Sequence, residues 1–268
     1  MKFSVVIAAH NEADNLPGLL QETAVALAGF PSWEVVVVDD GSTDSTAEVL
    51  KSLQTAMPQL KVVRHRSSCG QSQAVATGVD AARGAVIATL DGDGHNDPAD
   101  LPAMYQLLTE DAGCGLWMVA GHRQNRRDSA WRVFSSKVAN AVRSRILGDN
   151  TPDTGCGIKV FYRAAFLQLP RFNHMHRFLP ALVVRSGGRV ISAAVNHRPR
   201  LHGRSHYDTL RRLLAGLVDL AGVAWLIRRS AVVVLEQPEG AEHERELLDS
   251  LRFDRAAGVH GAVRRSVA

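Results

Sequence analysis

From residue 4 to residue 120 the chain alternates two kinds of segment, and no other feature constrains its fold as strongly. Residues 4–9 (SVVIAA), 34–38 (EVVVV), 60–64 (LKVVR), 85–90 (AVIATL) and 117–120 (WMVA) are short, apolar and rich in β-branched side chains. Such runs read as buried strands. Residues 12–28, 43–57, 72–83 and 98–108 lie between them and carry apolar side chains at helical spacing. In the first of these, Leu16, Leu19, Leu20, Ala24 and Leu27 share one face. Asn11 is expected to cap the first helix, Ser42 or Asp44 to open the second, and Gly84 to stop the third. Asp97, ahead of Pro98, is expected to cap the fourth. Strand and helix in turn make βαβ units, so the expected class is α/β, a mainly parallel sheet flanked by helices.

The polar residues fall where such a sheet would use them. HNE at 10–12 follows the first strand, DDGSTD at 39–44 the second, and DGDGHND at 91–97 the fourth. In open parallel sheets ligands bind beyond the carboxyl ends of strands. One such loop reads as turn chemistry alone; three of them point to a shared crevice. Asp91 and Asp93 stand two residues apart, on the same side of an extended backbone. Two unit charges ~4 Å apart repel by ~4 kcal/mol at an effective dielectric of ~20. A hard divalent cation, Mg²⁺ or Mn²⁺, would neutralise the pair and share its oxygen ligands with a diphosphate. His95 stands two residues on as a nitrogen ligand. An EF-hand is excluded, because the sixth and twelfth places counted from Asp91 hold Asn96 and Pro102. A phosphatase with Asp91 as nucleophile fits this motif alone but leaves the two earlier acidic loops without a purpose. No GxGxxG follows the first strand, which argues against a dinucleotide-dependent dehydrogenase.

With 268 residues, 46% hydrophobic and 22% charged, the chain suits one or two globular domains. A net charge of +4 does not demand a nucleic-acid partner, and none is expected. The charge is uneven. Residues 196–229 hold seven Arg and two Asp, a candidate surface for anions; residues 236–254 hold seven acids and two Arg, a solvated tail. Cys69, Cys114 and Cys156 are odd in number and lack metal-ligand spacing, as free thiols in a reducing cytoplasm would. The apolar run at 3–9 is cut short by His10, Asn11 and Glu12 and reads as a strand rather than a leader. No stretch of 18 uncharged apolar residues occurs, so no ordinary spanning helix is expected. After residue 120 the rhythm changes: a basic helical stretch at 123–147, a turn-rich loop at 151–157, strands at 158–162 and 190–197, and a tail from Gln237. Residues 210–229 (LRRLLAGLVDLAGVAWLIRR) are apolar through 213–227 except for Asp219, with Arg pairs at both ends and Trp225 near one. That suits a helix lying at a bilayer interface; a core helix packed on the domain is the alternative.

The stretches VVIAAHNEADNL, VVVVDDGSTDST, GQSQAVATGVDAARG, LDGDGHNDPADLP and DTGCGIKVFYR stand in this order and spacing. They resemble family 2 glycosyltransferases of the GT-A fold. More narrowly, the chain is similar to dolichol- and polyprenol-phosphate sugar transferases of the dolichol-phosphate mannosyltransferase type, over about residues 3–229. DTGCG and RPRLHGRSHY point to that branch. The resemblance implies a catalytic domain over 1–207, amphipathic interfacial helices within 208–235 and a tail over 236–268. It implies that Ala8, Asn11, Glu12, Asp39, Asp40, Gly41, Ser42, Gly70 and Asp91 bind a nucleotide-sugar donor, UDP- or GDP-linked. Asp91, Asp93 and His95 would hold Mg²⁺ or Mn²⁺, and Asp93, Asp153 and Arg123 would form the catalytic set. Arg123, Arg132, Lys137, Arg200, Ser205 and His206, with Arg204 beside them, would receive the phosphate of a polyprenyl phosphate acceptor.

The chain departs from the family in places. His95 stands where relatives usually carry Gln, which tilts the metal preference towards Mn²⁺. Ala8 replaces a common Pro, and His10 a common Tyr. His206 stands where relatives tend to carry Lys; a neutral imidazole holds phosphate less well, so activity is expected to fall as pH rises through ~6–7. The implied reaction is inverting transfer to a lipid phosphate. That group has a second pKa of ~6 and is already mostly dianionic at neutral pH, so it needs positioning cations more than a strong base. The implied location is peripheral, on the cytoplasmic face of a membrane. Two alternatives stay open: a transferase with a soluble or glycan acceptor, and a non-catalytic nucleotide-sugar-binding protein.

Overall fold

The computed structural model describes residues 2–110, 115–124, 143–198 and 209–229. Seven strands are present among them: β1 (Phe3–Ala9), β2 (Trp33–Asp39), β3 (Leu60–Arg64), β4 (Val86–Asp91), β5 (Leu116–Arg123), β6 (Lys159–Tyr162) and β7 (Arg189–Val195). They form one sheet in the order β3-β2-β1-β4-β6-β5-β7. β1 runs parallel to β2 and β4, β2 to β3, and β5 to β7. β6 runs antiparallel to both its neighbours, β4 and β5. Parallel neighbours need crossover connections. Here these contain helices α1 (Leu16–Ala26), α2 (Thr46–Ala56) and α3 (Gln71–Ala81); α4 (Leu101–Glu110) connects β4 to β5. Val5, Val6, Ile7 and Val35 to Val38 are wholly buried. Strands covered on both faces give continuous apolar runs rather than alternation, which is the pattern in the sequence.

The expected helices are present, but their ends are set by contacts far away in sequence. Asn11 does not cap α1. Its backbone is left-handed (φ 57°), and its Oδ1 accepts hydrogen bonds from the amides of Thr43 and Asp44 at 2.8 and 3.3 Å. Helix α2 starts at Thr46, later than expected, with Asp44 Oδ1 accepting from Thr46 N (3.0 Å). Gly84 is not a left-handed helix stop, since α3 ends at Ala81. A Cβ at Gly84 would stand 2.5 Å from Ser4 Oγ, so the glycine admits close packing against β1. Asp97 does cap the turn at Pro98–Asp100 that leads into α4, accepting from Ala99 N at 3.0 Å.

In the second half, Arg123 ends β5 rather than beginning a helix; residues 143–147 are helical, and 125–142 lie outside the described residues. β7 stops at Val195, and His197 instead makes an isolated antiparallel bridge with Asn96. The C-terminal helix, Thr209–Arg228, packs on the domain through buried Val223 and half-buried Leu220, Ala224, Leu226 and Ile227. Arg185 Nε donates to Leu226 O (3.1 Å), and His174 Nδ1 lies 2.8 Å from Asp219 Oδ2. Its other face shows Leu217, Val218 and Trp225, 55%, 72% and 61% exposed. The helix therefore has a packed side, as the core reading expected, and an open apolar side, as the interfacial reading expected. Among the described residues no helix is long and apolar enough to cross a membrane.

Candidate active site

The carboxyl ends of β1, β2 and β4 meet at one edge of the sheet. β6 runs the other way, so the loop that enters it arrives at that same edge. Together they enclose a cleft of about 820 Å³.

The first two acidic loops are sewn to each other. Asn11 N donates to Ser42 Oγ (2.9 Å), Glu12 N to Thr46 Oγ1 (3.0 Å) and Asp40 N to Ala9 O (2.8 Å). Glu12 in turn accepts from Asn15 Nδ2 at 2.6 Å. Asp40 organises the next wall. Its carboxylate accepts from Cys69 N, Gly70 N and Ser68 Oγ, each at 2.8 Å, and lies 2.7 Å from His65 Nδ1. Burial would raise its pKa, but these four partners outweigh that and hold it below the usual carboxylate range. Gly41 has φ 67°, and a Cβ there would lie 2.5 Å from the Ser67 backbone, so only glycine lets the two loops touch.

Of the residues expected at the donor, Ala8, Asn11, Glu12, Asp40, Gly70 and Asp91 line the cleft. Asp39, Gly41 and Ser42 do not; they build the wall from behind. Asp39 is wholly buried, accepts from Ser42 N (2.9 Å) and pairs with Arg64 Nε (3.0 Å).

Asp91 ends β4 on the cleft floor. Its Oδ1 accepts from Gln71 Nε2 at 2.6 Å, and its amide donates to Asn96 Oδ1 at 3.1 Å. Gly157 passes directly behind the carboxylate, where a Cβ would overlap it. Burial first, and then the charge of Asp93, push the Asp91 carboxyl up to about 6, against the pull of Lys159 and Arg123. Asp93 and His95 face the same cleft; His95 Nδ1 lies 3.4 Å from Asp93 Oδ2. Two oxygen donors short of positive charge, with an imidazole beside them, suit a hard or borderline divalent cation. The three side chains do not gather as tightly as Asp40, His65 and Cys69, whose ligand atoms lie within 4.8 Å of one another. That second cluster has its hydrogen bonds satisfied internally, with His65 Nε2 3.0 Å from Thr77 Oγ1, and it acts as a loop brace.

The opposite wall is basic. Arg123 lines the cleft, and Asp153 clamps it from behind. Nε donates to Oδ2 at 2.7 Å, Nη2 to Oδ1 at 2.8 Å, and the Arg123 amide to Oδ2 at 3.2 Å. The Asp153 hydrogen bonds raise the Arg123 pKa. Asp153 is not among the residues that line the cleft and meets it through Arg123.

Sequence reasoning missed Lys159, Gln71, Ser68, His176 and Arg177, which all line the cleft. His176 Nδ1 lies 2.7 Å from Ser72 Oγ. Lys159 had a signal in the sequence, a lysine inside the apolar run IKVFY; burial lowers its pKa, opposed by the charges of Cys156, Asp91 and Asp153. Burial pushes the neighbouring Cys156 thiol up to about 11, so it is an inert wall residue. Arg132, Lys137, Arg200, Arg204, Ser205 and His206 lie outside the described residues.

Residues 4–169 match the family model described as glycosyl transferase family 2. The dodecaprenyl-phosphate galacturonate synthase of Rhizobium johnstonii is 35% identical over 236 residues, covering 86% of this chain and 69% of that protein. The undecaprenyl-phosphate 4-deoxy-4-formamido-L-arabinose transferase of Pseudomonas savastanoi pv. phaseolicola is 33% identical over 211 residues, covering 78% of this chain and 61% of its own length. Among solved structures, the glucosyl-3-phosphoglycerate synthase from Mycobacterium tuberculosis, in complex with Mn²⁺, UDP-glucose and phosphoglyceric acid, aligns with a TM-score of 0.63. The identity is 18%, over 90% of this chain and 85% of that one, which shows a shared GT-A fold.

Proposed function

Since the chain belongs to glycosyl transferase family 2 and is a glycosyltransferase, we propose that it moves a sugar from a nucleoside-diphosphate sugar to the phosphate of a polyprenyl lipid, with inversion. The observation that carries this reading is the division of the cleft. One wall offers Asn11, Glu12, Asp40 and Gly70 to a nucleotide, the floor offers Asp91 and Asp93, and the far wall offers Arg123 and Lys159 to an anion. The names of two relatives, a dodecaprenyl-phosphate and an undecaprenyl-phosphate enzyme, support the acceptor class.

Asp91, Asp93 and His95 would hold the Mg²⁺ or Mn²⁺ ion. Bound there, it would supply Lewis acidity to the departing diphosphate. The chain's own residues would do the rest. Gln71 and Gly157 fix the Asp91 carboxylate, and the brace around Asp40 keeps the 68–70 loop against the nucleotide. Arg123, set by Asp153, would orient the acceptor phosphate. A phosphate oxygen attacks the anomeric carbon, and the bond to the nucleoside diphosphate breaks with its electron pair going to the diphosphate. No cleft carboxylate is needed as base, because the attacking phosphate is already ionised.

The exposed face of the C-terminal helix, with Leu217, Val218 and Trp225 beside Arg228 and Arg229, would rest on the cytoplasmic face of the membrane that holds the lipid. The 1–207 stretch would then be the catalytic domain and 208–235 the interfacial region.

The test is release of nucleoside diphosphate by purified protein given Mn²⁺ or Mg²⁺, undecaprenyl phosphate and a panel of UDP- and GDP-sugars. Release should require both metal and lipid and fall at least ~100-fold in Asp93→Ala. Metal-dependent nucleotide binding without lipid-dependent release from any donor would overturn the acceptor assignment in favour of a soluble acceptor or a binding role.

A further inference from the structure

Lys159 opens β6 opposite Thr89 of β4 and beside Ala120 of β5. It is 3% exposed, yet it lines the cleft. An ammonium has three hydrogen-bond donors. Cys156 O accepts one, and among the described residues no other protein acceptor takes the remaining two. Leaving charged donors unfilled in a buried place is costly unless a ligand fills them.

Arg123 lies on the neighbouring strand and faces the same space. Asp153 takes Nε and one Nη2 hydrogen, and among the described residues no acceptor is bonded to Nη1. The two cations have different kinds of anchor. Arg123 is locked by a carboxylate behind it; Lys159 is tethered to a backbone carbonyl of the loop that holds that carboxylate. One loop, residues 153–157, therefore sets the position of both, and its Gly157 also backs Asp91.

We propose that Lys159 and Arg123 form a rigid two-cation cradle that takes the oxygens of a phosphoryl group, with the Lys159 ammonium as its buried half. The proposal rests on the reading of the cleft as a site for phosphorylated substrates. The phosphoryl group belongs either to the donor's diphosphate or to the acceptor's phosphate, and the chemistry that recognises them is the same. Lys159 supplies a point charge at fixed depth, and Arg123 supplies a planar fork at the rim.

The experiment uses the full chain in metal-free buffer, so that Asp91 and Asp93 contribute no bridging cation. Binding of UDP and of inorganic phosphate is measured by calorimetry for wild type, Lys159→Met and Lys159→Arg. Lys159→Met should weaken one or both by about tenfold to a hundredfold, and Lys159→Arg should restore most of the loss. A loss confined to UDP assigns the cradle to the diphosphate; a loss confined to phosphate assigns it to the acceptor group. Wild-type affinity for both probes in a folded Lys159→Met protein would overturn the proposal.

A second measurement needs no variant. The chain has five lysines, so the ¹⁵Nζ resonance of Lys159 can be assigned and followed as phosphate and UDP are added. A shift in that resonance is expected, and its absence with both probes at saturation would overturn the cradle. Phosphate binding that depends on Lys159 without lipid-dependent turnover would sink the lipid acceptor and leave the cradle. Turnover in Lys159→Met with unchanged phosphate binding would do the reverse.

Discussion

Asp153 meets Arg123 through two side-chain hydrogen bonds of 2.7 and 2.8 Å, a geometry that only a carboxylate can offer to both nitrogens. Asp153→Asn keeps the shape and loses one acceptor and the charge. Turnover should fall by about tenfold to a hundredfold as the aim of Arg123 is lost; UDP affinity should stay nearly unchanged where the cradle serves the acceptor phosphate and fall with turnover where it serves the diphosphate. Steady-state kinetics with lipid varied, set beside UDP calorimetry, separate the two; full turnover would remove Asp153 as a positioning residue. At this scale the sequence was readable where spacing encodes direction. Asp91 and Asp93 are two apart, so both face the cleft. Asp39 and Asp40 are consecutive at a strand end, where successive side chains point to opposite sides, so only one could. Asp40 lines the cleft and Asp39 turns towards Arg64, a choice that the letters DD do not contain.

Elements were legible wherever an apolar pattern repeated, and their ends were not. Asn11 and Gly84 look like helix punctuation, yet each answers to a distant partner: Asn11 to the loop after β2, Gly84 to Ser4 of β1. The C-terminal helix shows the same limit. Its composition is apolar nearly all round, and only the fold decides that Val223 faces in while Leu217, Val218 and Trp225 face out. The outward face leads to a prediction. The protein should float with vesicles containing phosphatidylglycerol at low salt, and Leu217→Ser with Trp225→Ser should reduce the bound fraction several-fold, at about 1.5–3 kcal/mol per fully buried large apolar side chain. Equal flotation of wild type and double variant would show that this face does not meet the membrane.

Across the whole molecule, Glu34 ties three parts of the first half of the sheet together. It accepts from Ser4 Oγ (2.7 Å), Arg83 N (2.6 Å) and Lys2 Nζ (3.1 Å), joining β1, β2 and the exit of α3. Burial works to raise its pKa, but these bonds outweigh it and hold the carboxyl below its ordinary 4.5. A carboxyl depressed in the folded state adds stability above its unfolded pKa, and that stability is lost as pH falls through the folded value. Glu34→Gln should therefore melt below wild type at pH 7, and the gap should close as the pH falls beneath the ordinary glutamate range. A gap that persists unchanged in acid would assign the effect to packing rather than charge.

The reversed direction of β6 has one further consequence. The chain leaves the sheet at the end of β5 and re-enters it at the start of β6 on the same rim, so the end of one strand and the start of the other are neighbours. The last part of that connection, residues 153–157, is tied down at both sides of the cleft: Asp153 holds Arg123, Cys156 O holds Lys159, and Gly157 backs Asp91, so a change in this short run is felt by the end of β4, the end of β5 and the start of β6 together.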